Sequence, residues 1–110
     1  MIEIDDFAKV EMKIGKILNV ERVPNTDKLL QLTVDFGEEH PRTVVSGIAL
    51  YFEDEQVLVG VSCPFVTNLE PRTIRGLTSE AMILAVHTDD GSFSVLEPTQ
   101  ADIPAGTRLN

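Results

Sequence analysis

The run from Glu11 to Val23, EMKIGKILNVERV, constrains this chain most, because it reads as one strand too long and too irregular for a flat sheet. Met12 and Ile14 alternate with polar neighbours, and Leu18 and Val20 resume the alternation later. Ile17 breaks the phase between them, just after Gly15-Lys16. Alternation marks a half-buried strand, since successive side chains point to opposite faces. A glycine at the phase change predicts a β-bulge there, and a bulge bends a strand so that it can serve two sheets.

The remaining pattern supplies the partners for such a strand. Leu30, Leu32, Val34 and Phe36 alternate with Gln31, Thr33 and Asp35, a clean half-buried strand after the turn Pro24-Asn25-Thr26-Asp27. Gly37 to Pro41 turns the chain and Arg42 to Ser46 returns it. A helical turn is expected within Gly47 to Phe52, then a fourth strand from Gln56 to Cys63 with Pro64 just behind its end. Ala81 to His87 is apolar on both faces, as expected of a strand enclosed in a barrel, and Phe93 to Leu96 adds a short late strand. Asp5 or Asp6 can cap a short helical turn at the start. Ile103 and Leu109 would anchor a turn-rich tail. The fold class implied is all-β: a five-stranded Greek-key barrel of the OB type, with a short helical element and extra terminal segments. A β-sandwich is the rival, but the long bulged strand favours the barrel.

Length and charge narrow the function classes. At 110 residues, 43% of them apolar, the chain is expected to form one domain over residues 1–110. No run approaches the roughly 20 apolar residues of a membrane span. The start MIEIDDFAKV carries acids where a signal peptide would carry positive charge. Cys63 is the only cysteine, so no internal disulfide can form, and a reducing cytoplasm is the expected location. The start at Met favours a free-standing protein, although an expressed C-terminal fragment would look the same.

A net charge of −9 opposes any polyanion partner unless the fold segregates its charges. Acids bunch at Glu38-Glu39, Glu53-Asp54-Glu55 and Asp89-Asp90, all expected turns, while Lys13, Lys16, Arg22, Lys28, Arg42, Arg72 and Arg75 lie elsewhere. The stretch NLEPRTIRGLTSEAMILAV, Asn68 to Val86, holds Arg72, Arg75, Thr78 and Ser79 in an expected loop against a strand. Guanidinium forks and hydroxyls suit phosphate oxygens.

Catalysis has no foothold. Cys63 sits among apolar residues without a base at suitable spacing, and His40 and His87 pair with no second ligand on one element. There is no phosphate-cradling glycine loop, so neither cofactor nor metal is expected. The aromatic rings are Phe7, Phe36, Tyr51, Phe52, Phe65 and Phe93, too few for a sequence-tolerant single-strand binder. Recognition of folded RNA through phosphates and 2′-hydroxyls needs fewer.

Three ordered motifs carry a resemblance: Val23-Pro24-Asn25-Thr26-Asp27-Lys28-Leu29, Val45-Ser46-Gly47-Ile48-Ala49, and Pro71-Arg72 through Arg75-Gly76 to Ser79-Glu80-Ala81-Met82. Together they resemble the tRNA-binding domain found at the C-terminus of bacterial methionyl-tRNA synthetases, as a free-standing structure-specific tRNA-binding protein, and in the endothelial-monocyte-activating polypeptide. The resemblance implies an OB-type barrel that binds the outside of the tRNA elbow by shape. It also implies a homodimer joined through segments outside the barrel, with a methionyl-tRNA synthetase as a partner in cis or trans. Carried over, Lys28 and Arg42 would approach phosphate, Arg72, Arg75 and Ser79 would line the RNA-facing rim, and Met82 would be an apolar contact. Ala81 stands where the family usually has glycine, and Glu70 where a basic residue is common. The rival readings are a chaperone-like peptide-binding dimer of the related export-associated type, and a purely structural dimerisation module.

Overall fold

Strand β1, Met12–Arg22, runs through the whole molecule and organises everything else in the computed structural model, which describes residues 1–110. Its second half pairs antiparallel with β2, Leu30–Asp35, and its first half with β4, Ser62–Val66. Strand β3, Arg42–Ser46, adds to β2, and the short β7, Met82–Ile83, adds to β4, giving a five-stranded sheet in the order β3-β2-β1-β4-β7. Twist brings the outer strands together. The Glu80 N–H donates to the Thr43 C=O at 2.8 Å, and the Thr43 N–H to the Glu80 carboxylate at 3.1 Å, so the sheet is nearly closed into a barrel. Two hairpins complete it: β5, Arg72–Ile74, with β6, Leu77–Ser79, and β8, Ala85–His87, with β9, Phe93–Val95. The expected all-β, OB-type barrel is the fold observed.

The bulge exists but not at the glycine. Register slips between Ile17 and Asn19, leaving Leu18 as the extra residue. Ile14, Ile17 and Val20 therefore all face inward, while Leu18, expected inside, is exposed. Gly15 serves a different purpose. A Cβ there would come within 2.5 Å of both Phe36 and Val34, so the missing side chain is what lets the large Phe36 ring cross β1. Phe36 in turn meets Phe65 edge-on at 5.2 Å, at the centre of the core.

Four further expectations need correction. Residues Glu55–Leu58 form a 3-10 turn, and the fourth strand starts at Ser62 with Pro64 inside it. The proline is tolerated because Ile14, opposite it, turns its N–H and C=O away to the C-terminal tail, bonding Thr107 at 2.8 Å and Gly106 at 2.7 Å. The stretch 81–87 is not an enclosed strand: Ala81 and Ile83 are buried, but Ala85, Val86 and His87 are exposed in a separate hairpin. The Arg-bearing segment is a β-hairpin rather than a loop. At the start, helix α1, Ile4–Phe7, begins from Glu3, whose N–H donates to Asp6 at 3.2 Å, so Asp6 acts from inside the first turn. The helical turn expected within 47–52 is present at Ala49–Tyr51. Cys63 is fully buried, and burial pushes its thiol up to about 12, which leaves it inert. No helix is long and apolar enough to cross a membrane.

Candidate nucleic-acid interface

Two short segments face each other at the β2 end of the barrel. The first is the turn after β1. Asn25 takes a left-handed conformation, φ 63°, and the Thr26 hydroxyl oxygen accepts from the Lys28 N–H at 3.2 Å and the Leu29 N–H at 3.1 Å. The Lys28 C=O accepts from the Ala49 N–H at 2.9 Å, which ties the turn to the Val45–Ala49 motif. Lys28 thus projects from a backbone held on both sides. Thr26 supplies the side-chain bonds of the turn.

The second segment is the β5–β6 hairpin. Ile74 pairs with Leu77, so Arg75 and Gly76 alone form its turn, with φ of 53° and 78°. Two positive φ angles make the primed turn that suits a tight hairpin and normally favours Asn-Gly. An arginine there costs about 1 kcal/mol of backbone strain. Arg75→Asn is accordingly expected to raise stability by about 0.5–1 kcal/mol while weakening anion binding. Thermal melts paired with a binding titration read both effects; a variant less stable than the parent would contradict the strain argument.

Asn25, Thr26, Asp27, Lys28, Leu29, Ile74 and Arg75 line an open cleft of about 450 Å³, so one carboxylate shares it with the two cations. Ile74 also borders a small apolar slot with Arg72, Ser79, Ala81 and Met82, so the two recesses adjoin. Lys28, Arg72 and Arg75 are exposed, and none has a carboxylate oxygen within 4.0 Å. Lys9, Lys13, Arg22 and Arg42, by contrast, are each paired with an acid. The fold therefore brings the unpaired Lys28 and Arg75 to one cleft, with the unpaired Arg72 beside Glu70 in the adjoining slot. Met82 is half exposed in the slot.

Two sequence-derived candidates have other duties. Arg42 is a strut across the barrel seam. Its guanidinium donates to both Glu38 oxygens, at 2.9 and 2.7 Å, to the Thr67 C=O at 2.7 Å and to the Glu80 C=O at 3.2 Å. It also lies 5.3 Å from the Phe36 ring centre. Every face of that fork is engaged, which leaves little to offer a phosphate. Ser79 is buried rather than on the rim; its hydroxyl accepts from the Val45 N–H at 2.9 Å and donates to the Ala81 C=O at 3.1 Å, fastening β6 to β3. Thr78 points to the opposite hairpin face from Arg72, because residues alternate along β6. Nothing in the sequence distinguished these structural roles from a binding one, because each depends in part on distant partners: Thr67 and Glu80 for Arg42, Val45 for Ser79.

The Arg42 bonds hold the Glu38 carboxyl below the ordinary glutamate value of 4.5 and raise the Arg42 guanidinium. A carboxyl depressed in the folded state stabilises it above that ordinary value, and the contribution is lost as pH falls through the lowered folded value. Stability should thus decline below about pH 4.5, the ordinary value, and Glu38→Gln should flatten part of that decline. Chemical denaturation across pH would reveal an unchanged profile if the strut carried no weight.

Residues 12–108 match the family described as "Putative tRNA binding domain". The chain belongs to this tRNA-binding domain family. It is 46% identical over 97 residues to the methionine–tRNA ligase of Bacteroides fragilis and 45% over 109 residues to that of Deinococcus radiodurans. Those matches cover 88% and 99% of the chain but 14% and 16% of the ligases, so the domain corresponds to a small part of each enzyme. Among solved structures, a MetRS-related protein from Pyrococcus horikoshii superposes with a TM-score of 0.89 at 35% identity, covering 99% of this chain and 97% of that one. The chaperone CsaA of Bacillus anthracis gives 0.86 at 25% identity, covering 100% and 99%. The tRNA-binding domain reading from the three motifs thus stands at the level of family and fold.

Proposed function

We propose that this domain binds folded tRNA at the barrel end carrying Lys28, Arg72 and Arg75, and serves as an auxiliary module for aminoacylation in cis or in trans. The placement of unpaired Lys28 and Arg75 in one cleft, with unpaired Arg72 in the adjoining slot, carries this reading. In a chain of net charge −9, affinity for a polyanion must come from a local field, and the remaining bases are mostly neutralised by their own acids. Guanidinium and ammonium groups spaced along a cleft suit backbone phosphates, which position folded RNA by shape rather than by sequence. Three phosphate contacts predict that log affinity falls with log salt at a slope of about −2 to −3. A titration of tRNA at several salt concentrations measures it, and a salt-independent affinity would remove the site.

The reading includes a homodimer, which would present two such ends and raise avidity. Helix α1 buries none of its residues, and Ile2, Ile4, Phe7 and Val10 around it are exposed. Sedimentation giving a monomer at micromolar concentration would argue against it. A chaperone-like, peptide-holding role is favoured by the likeness to the CsaA chaperone and by an apolar cleft of about 320 Å³ bordered by Ile14, Pro64, Leu96, Ile103 and Leu109. Suppression of aggregation without tRNA binding would select that role. A dimer that did neither would be the structural module.

A further inference from the structure

Beside the cation cleft stands a column of rings with no assigned part in it. His87 and Phe93 are directly opposite each other in the β8–β9 hairpin, so their side chains share one face. Tyr51 lies on that face. Its ring stacks on Phe93 with centres 4.3 Å apart and planes within 6°, and the His87 ring stands 5.3 Å away at 59°. Phe52 meets Phe93 edge-on at 5.7 Å and packs against the core. Phe93 therefore covers one face of the Tyr51 ring, His87 packs beside it, and the residue as a whole remains 41% exposed. No hydrogen bond engages the Tyr51 hydroxyl. Tyr51 is thus braced by stacking on Phe93 yet keeps a large part of its surface toward solvent.

Its place relative to Lys28 is fixed by the same 3-10 turn. Ala49 donates to the Lys28 C=O at 2.9 Å, and Tyr51 follows two residues on, about 7 Å of chain at most. The geometry points to Tyr51 as a stacking platform for one unpaired nucleobase of the RNA whose phosphates meet Lys28 and Arg75, an assignment that rests on the tRNA reading above. Stacking on an aromatic face accepts any base, and folded RNA leaves bases unstacked at loops and ends. The platform would add affinity without adding charge, which an acidic domain needs.

Tyr51 is the only tyrosine and the chain has no tryptophan, so intrinsic emission reports on this ring alone. Titrating the intact protein with a tRNA transcript, with correction for absorbance, is expected to quench that emission in step with binding followed by the anisotropy of labelled tRNA. Tyr51→Leu keeps an apolar side chain on Phe93 but removes the π-face, and should weaken binding about 5- to 100-fold without changing the salt slope. Tyr51→Phe should bind nearly as the parent does. If tRNA binds with the expected salt slope while the emission is unquenched and Tyr51→Leu binds like the parent, the platform is refuted and the cation site survives. If the parent does not bind tRNA, both fall together. Should Tyr51→Leu misfold, quenching in the parent still decides.

Discussion

Replacing Arg72 and Arg75 together with alanine is expected to weaken tRNA binding about 30- to 100-fold and leave the fold intact. Each guanidinium is exposed and without a partnered acid in the unbound domain, so its charge-assisted bonds to phosphate are made only on binding. A hydrogen bond to a charged group contributes about 1.5 kcal/mol or more, reduced at an exposed site by solvent screening, so two are worth about 2–3 kcal/mol. Loss of two phosphate contacts should also shallow the salt slope by about 1.5–2. The thermal midpoint should not fall, because neither side chain is buried and the strain at Arg75 is partly relieved only by residues such as Asn. Arg42→Ala provides the contrast: it should destabilise the barrel seam first, with any loss of binding following the loss of fold. Equal affinity for the folded double variant and the parent would place the RNA elsewhere.

How far the sequence reveals this molecule depends on how local each cause is. Strand β2 is legible because Leu30, Leu32 and Val34 obey a period set by its own backbone, and the structure buries all three. The bulge is legible in kind but misplaced, since a glycine can mark either an extra residue or a close crossing, and Gly15 marks the crossing of Phe36. Pro64 inside β4 is tolerated by a tail some 40 residues later, a cause no local pattern carries. The site divides the same way. Lys28 and Arg75 are legible as long cations at turns, whereas Arg42 and Ser79 look equally suited to phosphate until Glu38, Thr67 and Val45 are placed around them.

Gly106→Ala is expected to cost about 3 kcal/mol, for a reason the sequence conceals. Gly106 takes φ 89°, and a Cβ built on it would lie 2.3 Å from the Phe36 carbonyl oxygen and 3.1 Å from its carbon. Those are backbone atoms at the end of β2, which cannot rotate aside as a side chain would. The left-handed conformation alone costs about 1–2 kcal/mol for a residue with a Cβ. Relief by moving the tail would break its ladder on β1, in which Gly106 donates to Ile14, Ile14 to Thr107, and Leu109 to Met12. Each such bond contributes about 0.5–1.5 kcal/mol net, so either route ends at a similar total. A domain of this size should then melt roughly 10–15 °C lower. Hydrogen exchange would locate the damage: the Ile14 and Leu109 amides should lose protection while the β2 amides keep theirs. The cleft lies at the far end of β1, about 30 Å along the strand, so per-site tRNA affinity should hold at temperatures where the variant is folded. A midpoint within about 2 °C of the parent would mean the tail yields at no cost, and that its contact with Phe36 does not hold the C-terminal segment on the barrel.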